Sequence, residues 1–234
     1  MPRFTSASRH RCYRAAIGGG LLFVLLTSAA MVVYPGGTRI DPTAERYLFS
    51  QNYFSDLGRT HDFEENSNLP SMLLFSSALL TVGCTTVALF LSMPDLFEND
   101  RFSRFVSLLV TGFGLIAGTG FVGIALTPWD LFFPQHDLCV NVGFRSLLLG
   151  CVAAMINIYR AKRFPNLFGH LMVVVSFVLL GYILLLAFGP GPDEPVGLTI
   201  QVGGQKVVAY TLVAGITCLA FGAMRVERQQ NVSD

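Results

Sequence analysis

The chain has 234 residues, of which 52% are hydrophobic and only 13% charged, with a mean hydropathy of +0.55. That is too apolar for an ordinary water-soluble domain, and six spans of roughly twenty residues leave only short loops and tails, which excludes a sizeable soluble catalytic module. Lys plus Arg number 16 against 15 Asp plus Glu, and no basic run carries interleaved aromatics, so the composition argues against a nucleic-acid partner.

Long apolar runs predict an all-α fold: a polytopic integral membrane protein built as a six-transmembrane-helix bundle. The spans fall at about 15–34, 69–92, 105–128, 138–159, 167–189 and 207–224. In domain terms this gives a basic N-terminal tail over 1–14, one transmembrane domain over 15–224 and a tail over 225–234. The first span reads as an uncleaved anchor, because its apolar stretch runs on through residues 31–34, past the small residues Ser28, Ala29 and Ala30 that would suit a signal peptide. The fourth is the weakest, since Arg145 interrupts it.

Basic residues are unevenly shared between the two sides of this topology. One side holds Arg3, Arg9, Arg11, Arg14, Arg101, Arg104, Arg160, Lys162, Arg163, Arg225 and Arg228; the other holds Arg39, Arg46, Arg59, Arg145 and Lys206. Retention of positive charge in the cytoplasm then predicts cytoplasmic termini, extracytoplasmic first, third and fifth loops, and residence in the plasma membrane.

The first outer loop, 36–68, carries most of the polar information. Asp41 as N-cap, Pro42 at the first helical position and Gly58 just beyond the end predict a short helix over 42–57, with Tyr47, Phe49, Tyr53 and Phe54 as interfacial anchors. On such a helix Asn52, Ser55 and Asp56 share a face. They form either an inward polar cluster or a capping and turn network around Gly58.

Further along, the apolar third span contains Gly118-Thr119-Gly120-Phe121-Val122-Gly123. This is formally a dinucleotide fingerprint, but it does not lie between a strand and a helix. The glycines, including Gly114 and Gly118 at GxxxG spacing, instead predict close helix approach and a central third helix, their faces serving either the bundle itself or a homo-oligomer contact with a second copy. The second outer loop brings Trp129, Asp130 and His136. Asp137, Asn141 and Arg145 follow at steps of four, descending one helix face. Arg145 should snorkel outward or pair with Asp56 or Asp130.

His61, His136 and the nearby carboxylates match no metal-ligand signature, so neither a metal nor a cofactor is expected. Five cysteines form no CxxC pair and sit mostly in apolar runs, as small core residues do. After the turn at 189–195, residues 198–208 around Gly203-Gly204 predict a small outer β-hairpin, the alternative being an earlier start to the sixth helix.

Two segments carry a family resemblance: Asn52-Tyr53-Phe54-Ser55-Asp56-Leu57-Gly58 after the first span, and Gly123-Ile124-Ala125-Leu126-Thr127-Pro128-Trp129-Asp130 with His136 after the third. The chain resembles uncharacterised prokaryotic six-helix membrane proteins, which are similar in turn to the damage-regulated autophagy modulator and Frag-type families. That resemblance implies a membrane protein with lipids as partners and, in the eukaryotic relatives, roles in lipid-anchor remodelling or organelle membranes. It supplies no catalytic residue.

The expected function is therefore an outer-face pocket of Asn52, Ser55, Asp56, Asp130, His136, Asn141 and Arg145 that binds a lipid headgroup or other polar ligand. In the rival reading the same residues only clamp the loops. A third reading is a membrane-embedded hydrolase with His136 paired to Asp56 or Asp130 as acid/base and Ser55 as nucleophile.

Overall fold

The computed structural model describes residues 4–97 and 100–233, with nothing said of the side chains of residues 95 and 230–233; Arg3 and residues 98, 99 and 234 lie outside it. Among the described residues there are six long helices: α1 (Ser6–Val33), α2 (Leu69–Ser92), α3 (Arg101–Leu126), α4 (Phe133–Arg160), α5 (Asn166–Phe188) and α6 (Pro195–Ser233). All six are long and apolar enough to cross a membrane, and the protein is a multi-pass membrane protein. No strand forms among the described residues beyond an isolated bridge between His61 and Ser67.

Local chemistry explains several of the ends. Thr5 caps α1 by accepting from the Ser8 backbone N–H, and Asp100 caps α3 by accepting from Phe102 and Ser103. Proline in the first turn opens α2, α4 and α6, where its missing N–H costs nothing.

Each helix packs on its neighbours in the chain, and α6 returns against α1, so the six close a ring. The third helix is not central, as expected from its glycines, but occupies one position in that ring between α2 and α4. Several of its glycines sit at contacts with those neighbours. A Cβ on Gly114 would lie 2.2 Å from the Phe90 ring on α2, one on Gly118 2.8 Å from the Gly83 carbonyl oxygen, and one on Gly120 2.9 Å from Gly143 on α4.

Two sequence expectations are overturned. Residues 198–208 are helical, not a hairpin, because α6 begins at Pro195. Gly203 and Gly204 cost helix propensity, about 1 kcal/mol each. At Gly204 the helix lies close to α5, where a Cβ would stand 2.3 Å from a Leu185 methyl. The helix predicted over 42–57 is also absent. Only a four-residue 3-10 helix, Ser55–Gly58, forms in the loop between α1 and α2. There side chains take the backbone donors that a helix would use: Asp41 accepts from the Thr43 N–H at 3.1 Å and Asn52 from the Leu48 N–H at 2.9 Å.

Candidate functional site

The loop between α1 and α2 folds back as a cap on one mouth of the ring, and Asn52 is its hub. Fully buried, its amide donates to the Gly37 carbonyl at 2.8 Å and to Asp56 Oδ2 at 3.2 Å. Gly37 can present that carbonyl because it adopts φ +76°, a conformation disfavoured for residues with a Cβ. Asp56 is equally buried, and its Oδ2 also accepts from the Tyr53 N–H at 2.8 Å. Its Oδ1 has no partner among the described residues. Burial pushes the carboxyl up to about 6, with the Asn52 hydrogen bond opposing the shift. Asn68, at the head of α2, donates to the carbonyls of Asp56, Leu57 and Arg59.

A second tie joins this cap to the loop after α3. Asp130 Oδ2 accepts from the Thr60 hydroxyl at 2.6 Å, the Thr60 N–H at 2.9 Å and the His61 N–H at 3.3 Å. Beside it the Arg59 guanidinium lies between the rings of Phe63 and Trp129, 4.2 and 4.6 Å from their centroids, and donates to the His61 carbonyl.

Beneath the cap the ring encloses a cavity of about 80 Å³. Its wall is apolar, formed by side chains that include Phe23, Phe75, Leu79, Phe121, Phe144 and Leu212, with three polar residues among them: Ser55, His136 and Gln205. Ser55 comes from the 3-10 helix, His136 from the first turn of α4 and Gln205 from α6. The His136 Nδ1 donates to the Thr127 carbonyl at 2.7 Å, which leaves Nε2 without a partner among the described residues and able to accept. Gln205 Oε1 accepts from the Phe54 N–H at 2.7 Å, and its side chain also bonds Tyr182 on α5. Ser55 and His136 share the cavity wall with no hydrogen bond between them.

The seven residues singled out by sequence thus separate into three groups. Asn52, Asp56 and Asp130 belong to the cap networks, while Ser55 and His136 face the cavity. Asn141 and Arg145 form a pair on α4, bonded to each other, with no described carboxylate within 4 Å of Arg145. Neither Asp56 nor Asp130 is its partner. No cluster of three or more metal-ligating side chains occurs among the described residues.

Gln205 was missed because it fell in the predicted hairpin. Its helical phase was nevertheless present, since Leu198, Gln201, Val202, Gln205, Ala209 and Leu212 recur at spacings of three and four.

Across residues 17–222, a stretch that takes in all six helices, the cap and the cavity, the sequence matches a family described as protein of unknown function (DUF998). The chain belongs to that family. No curated protein and no solved structure matches it.

Proposed function

We propose that this membrane protein binds an amphiphilic ligand inside its helical ring. The cavity, at about 80 Å³, takes a short segment of it, in which one hydrogen-bonding group, such as a hydroxyl or ester carbonyl, meets Ser55, His136 and Gln205. The observation that carries this reading is the composition of the cavity wall: almost wholly apolar, with a free imidazole nitrogen and a hydroxyl on one side. A charged headgroup would lose its hydration there without a countercharge, which favours a neutral polar end. The segments that resemble the damage-regulated autophagy modulator and Frag-type families supply Ser55 and His136, in keeping with a lipid-like ligand.

Asn52, Asp56 and Asp130 serve this site indirectly by holding the cap closed over it, since the Asn52 amide and one oxygen of each carboxylate bond backbone and side-chain partners of the cap. The asymmetry of Lys and Arg supports a cap on the extracytoplasmic side of the plasma membrane, with both termini cytoplasmic.

Photolabelling with a diazirine-bearing fatty alcohol tests the proposal. Label should appear on cavity-facing segments of α2, α3 and α6, and Val140→Trp, which fills the cavity, should abolish it. Ser55→Ala with His136→Ala should weaken capture by about 10-fold, the worth of one or two hydrogen bonds. Label confined to the outer surface of the ring, or unchanged in Val140→Trp, would reject the reading.

A further inference from the structure

Lys206 is the most buried cation of the outer half of the molecule, with 3% of its surface exposed. Its ammonium donates to the Asn52 carbonyl and lies 4.9, 5.5 and 5.6 Å from the ring centroids of Phe49, Tyr47 and Phe54. No carboxylate stands within 4 Å of it among the described residues; Asp56 acts on it only through space. Aromatic faces and one carbonyl soften the burial of an ammonium but leave its net charge unanswered.

That charge borders a groove of about 500 Å³, walled on one side by Phe49 and Ser50 of the cap and on the other by Thr199, Gly203, Val207 and Tyr210 of α6. Phe49 and Val207 are 54% and 58% exposed, so the groove opens onto an apolar outer face of the ring. Its depth is defined by the opposite end of α6. There Glu227 is fully buried and paired with Arg9 of α1 at 2.8 Å. Twenty-one residues separate Lys206 from Glu227, or about 31 Å at roughly 1.5 Å per residue, close to the ~30 Å of a hydrocarbon core. With the Arg9–Glu227 pair placed at one face of the bilayer, that span sets Lys206 near the phosphates of the other face.

We propose that this groove seats the phosphate of an anionic phospholipid, with Lys206 as its counter-charge, Ser50 as a hydroxyl donor and an acyl chain running along Val207 and Tyr210. The site is separate from the interior cavity, because Phe54 stands between Lys206 and that space. Either assignment therefore stands or falls without the other.

The test is native mass spectrometry of the full chain released from uncharged detergent, after titration with phosphatidylglycerol and phosphatidylcholine of matched acyl chains. Phosphatidylglycerol should be retained about 5-fold over phosphatidylcholine, the advantage expected of one basic residue, and Lys206→Met should bring the ratio to about one. Gly203→Phe provides a second variant that spares the core, since nothing lies within 4 Å of a Cβ at Gly203 and the new side chain grows into the groove. It should also lower retention of phosphatidylglycerol. Equal retention of both lipids by the native chain, or an unchanged ratio in both variants, overturns the proposal. Displacement of the lipid by inorganic phosphate as readily as by phosphatidylglycerol would overturn the lipid assignment in favour of free phosphate.

Discussion

Ser55 and Asp56 are adjacent in one turn of 3-10 helix, yet they belong to regions with opposite chemistry. Asp56 looks into the cap, where two donors hold one carboxylate oxygen and burial resists its charge; Ser55 looks into the cavity, where nothing among the described residues bonds its hydroxyl. The difference teaches that a polar cluster in sequence need not be a polar site in space. A group bonded within the cap stabilises the fold that presents its neighbour to the cavity.

The sharpest way to break that contrast is to remove the hub. Asn52→Ala deletes three hydrogen bonds in a fully buried setting and strands the Leu48 N–H and the Gly37 carbonyl. The expected loss is about 2–4 kcal/mol, seen as a lowered Tm in detergent and as rapid hydrogen exchange over residues 36–68.

Next in size is the pH response of Asp56. Its carboxyl rises from an ordinary 3.8 to about 6 on folding, so its contribution favours the folded state fully below pH 3.8 and is lost as pH climbs through 6. The swing is on the order of 3 kcal/mol. Asp56→Asn should flatten the dependence of Tm between pH 4.5 and 7.5, because an amide can keep the accepting oxygen toward Asn52 and Tyr53 without a charge to desolvate. A mutant as pH-dependent as the parent would place the responsible group elsewhere.

Asp130→Ala should cost about 1–3 kcal/mol, less than removing the hub, because the Thr60 and His61 donors it strands lie nearer to solvent. Protease cutting or exchange confined to residues 59–68 would report it. Arg145→Leu should change stability by less than about 0.5 kcal/mol, as expected of an exposed pair; a larger loss of Tm would show a partner for Arg145 beyond Asn141.

Much of the helix plan was legible because a bilayer-crossing helix must be a long apolar run, a one-dimensional property. Spans two and five were located to within a residue or so, whereas α1 begins at Ser6 and α6 at Pro195, both through polar residues that hydropathy alone discards. Of the candidate site, Ser55 and His136 were legible as suspicious residues beside helix ends, but not their separation from Asp56 and Asp130. Gln205 and Lys206 were hidden by a glycine pair that reads as a turn and serves, at Gly204, as a close approach to α5.

Sequence by itself determined the membrane class, the number of spans and the charge asymmetry between loops, because burial in lipid demands apolar length regardless of what the helices touch. Only the tertiary structure decided which polar groups are spent and which are left over. That depends on the ring closing between α1 and α6 and on a cap folding over its mouth, contacts between residues far apart in the chain. Hydrogen-bond saturation is a property of those contacts, and no local spacing encodes it.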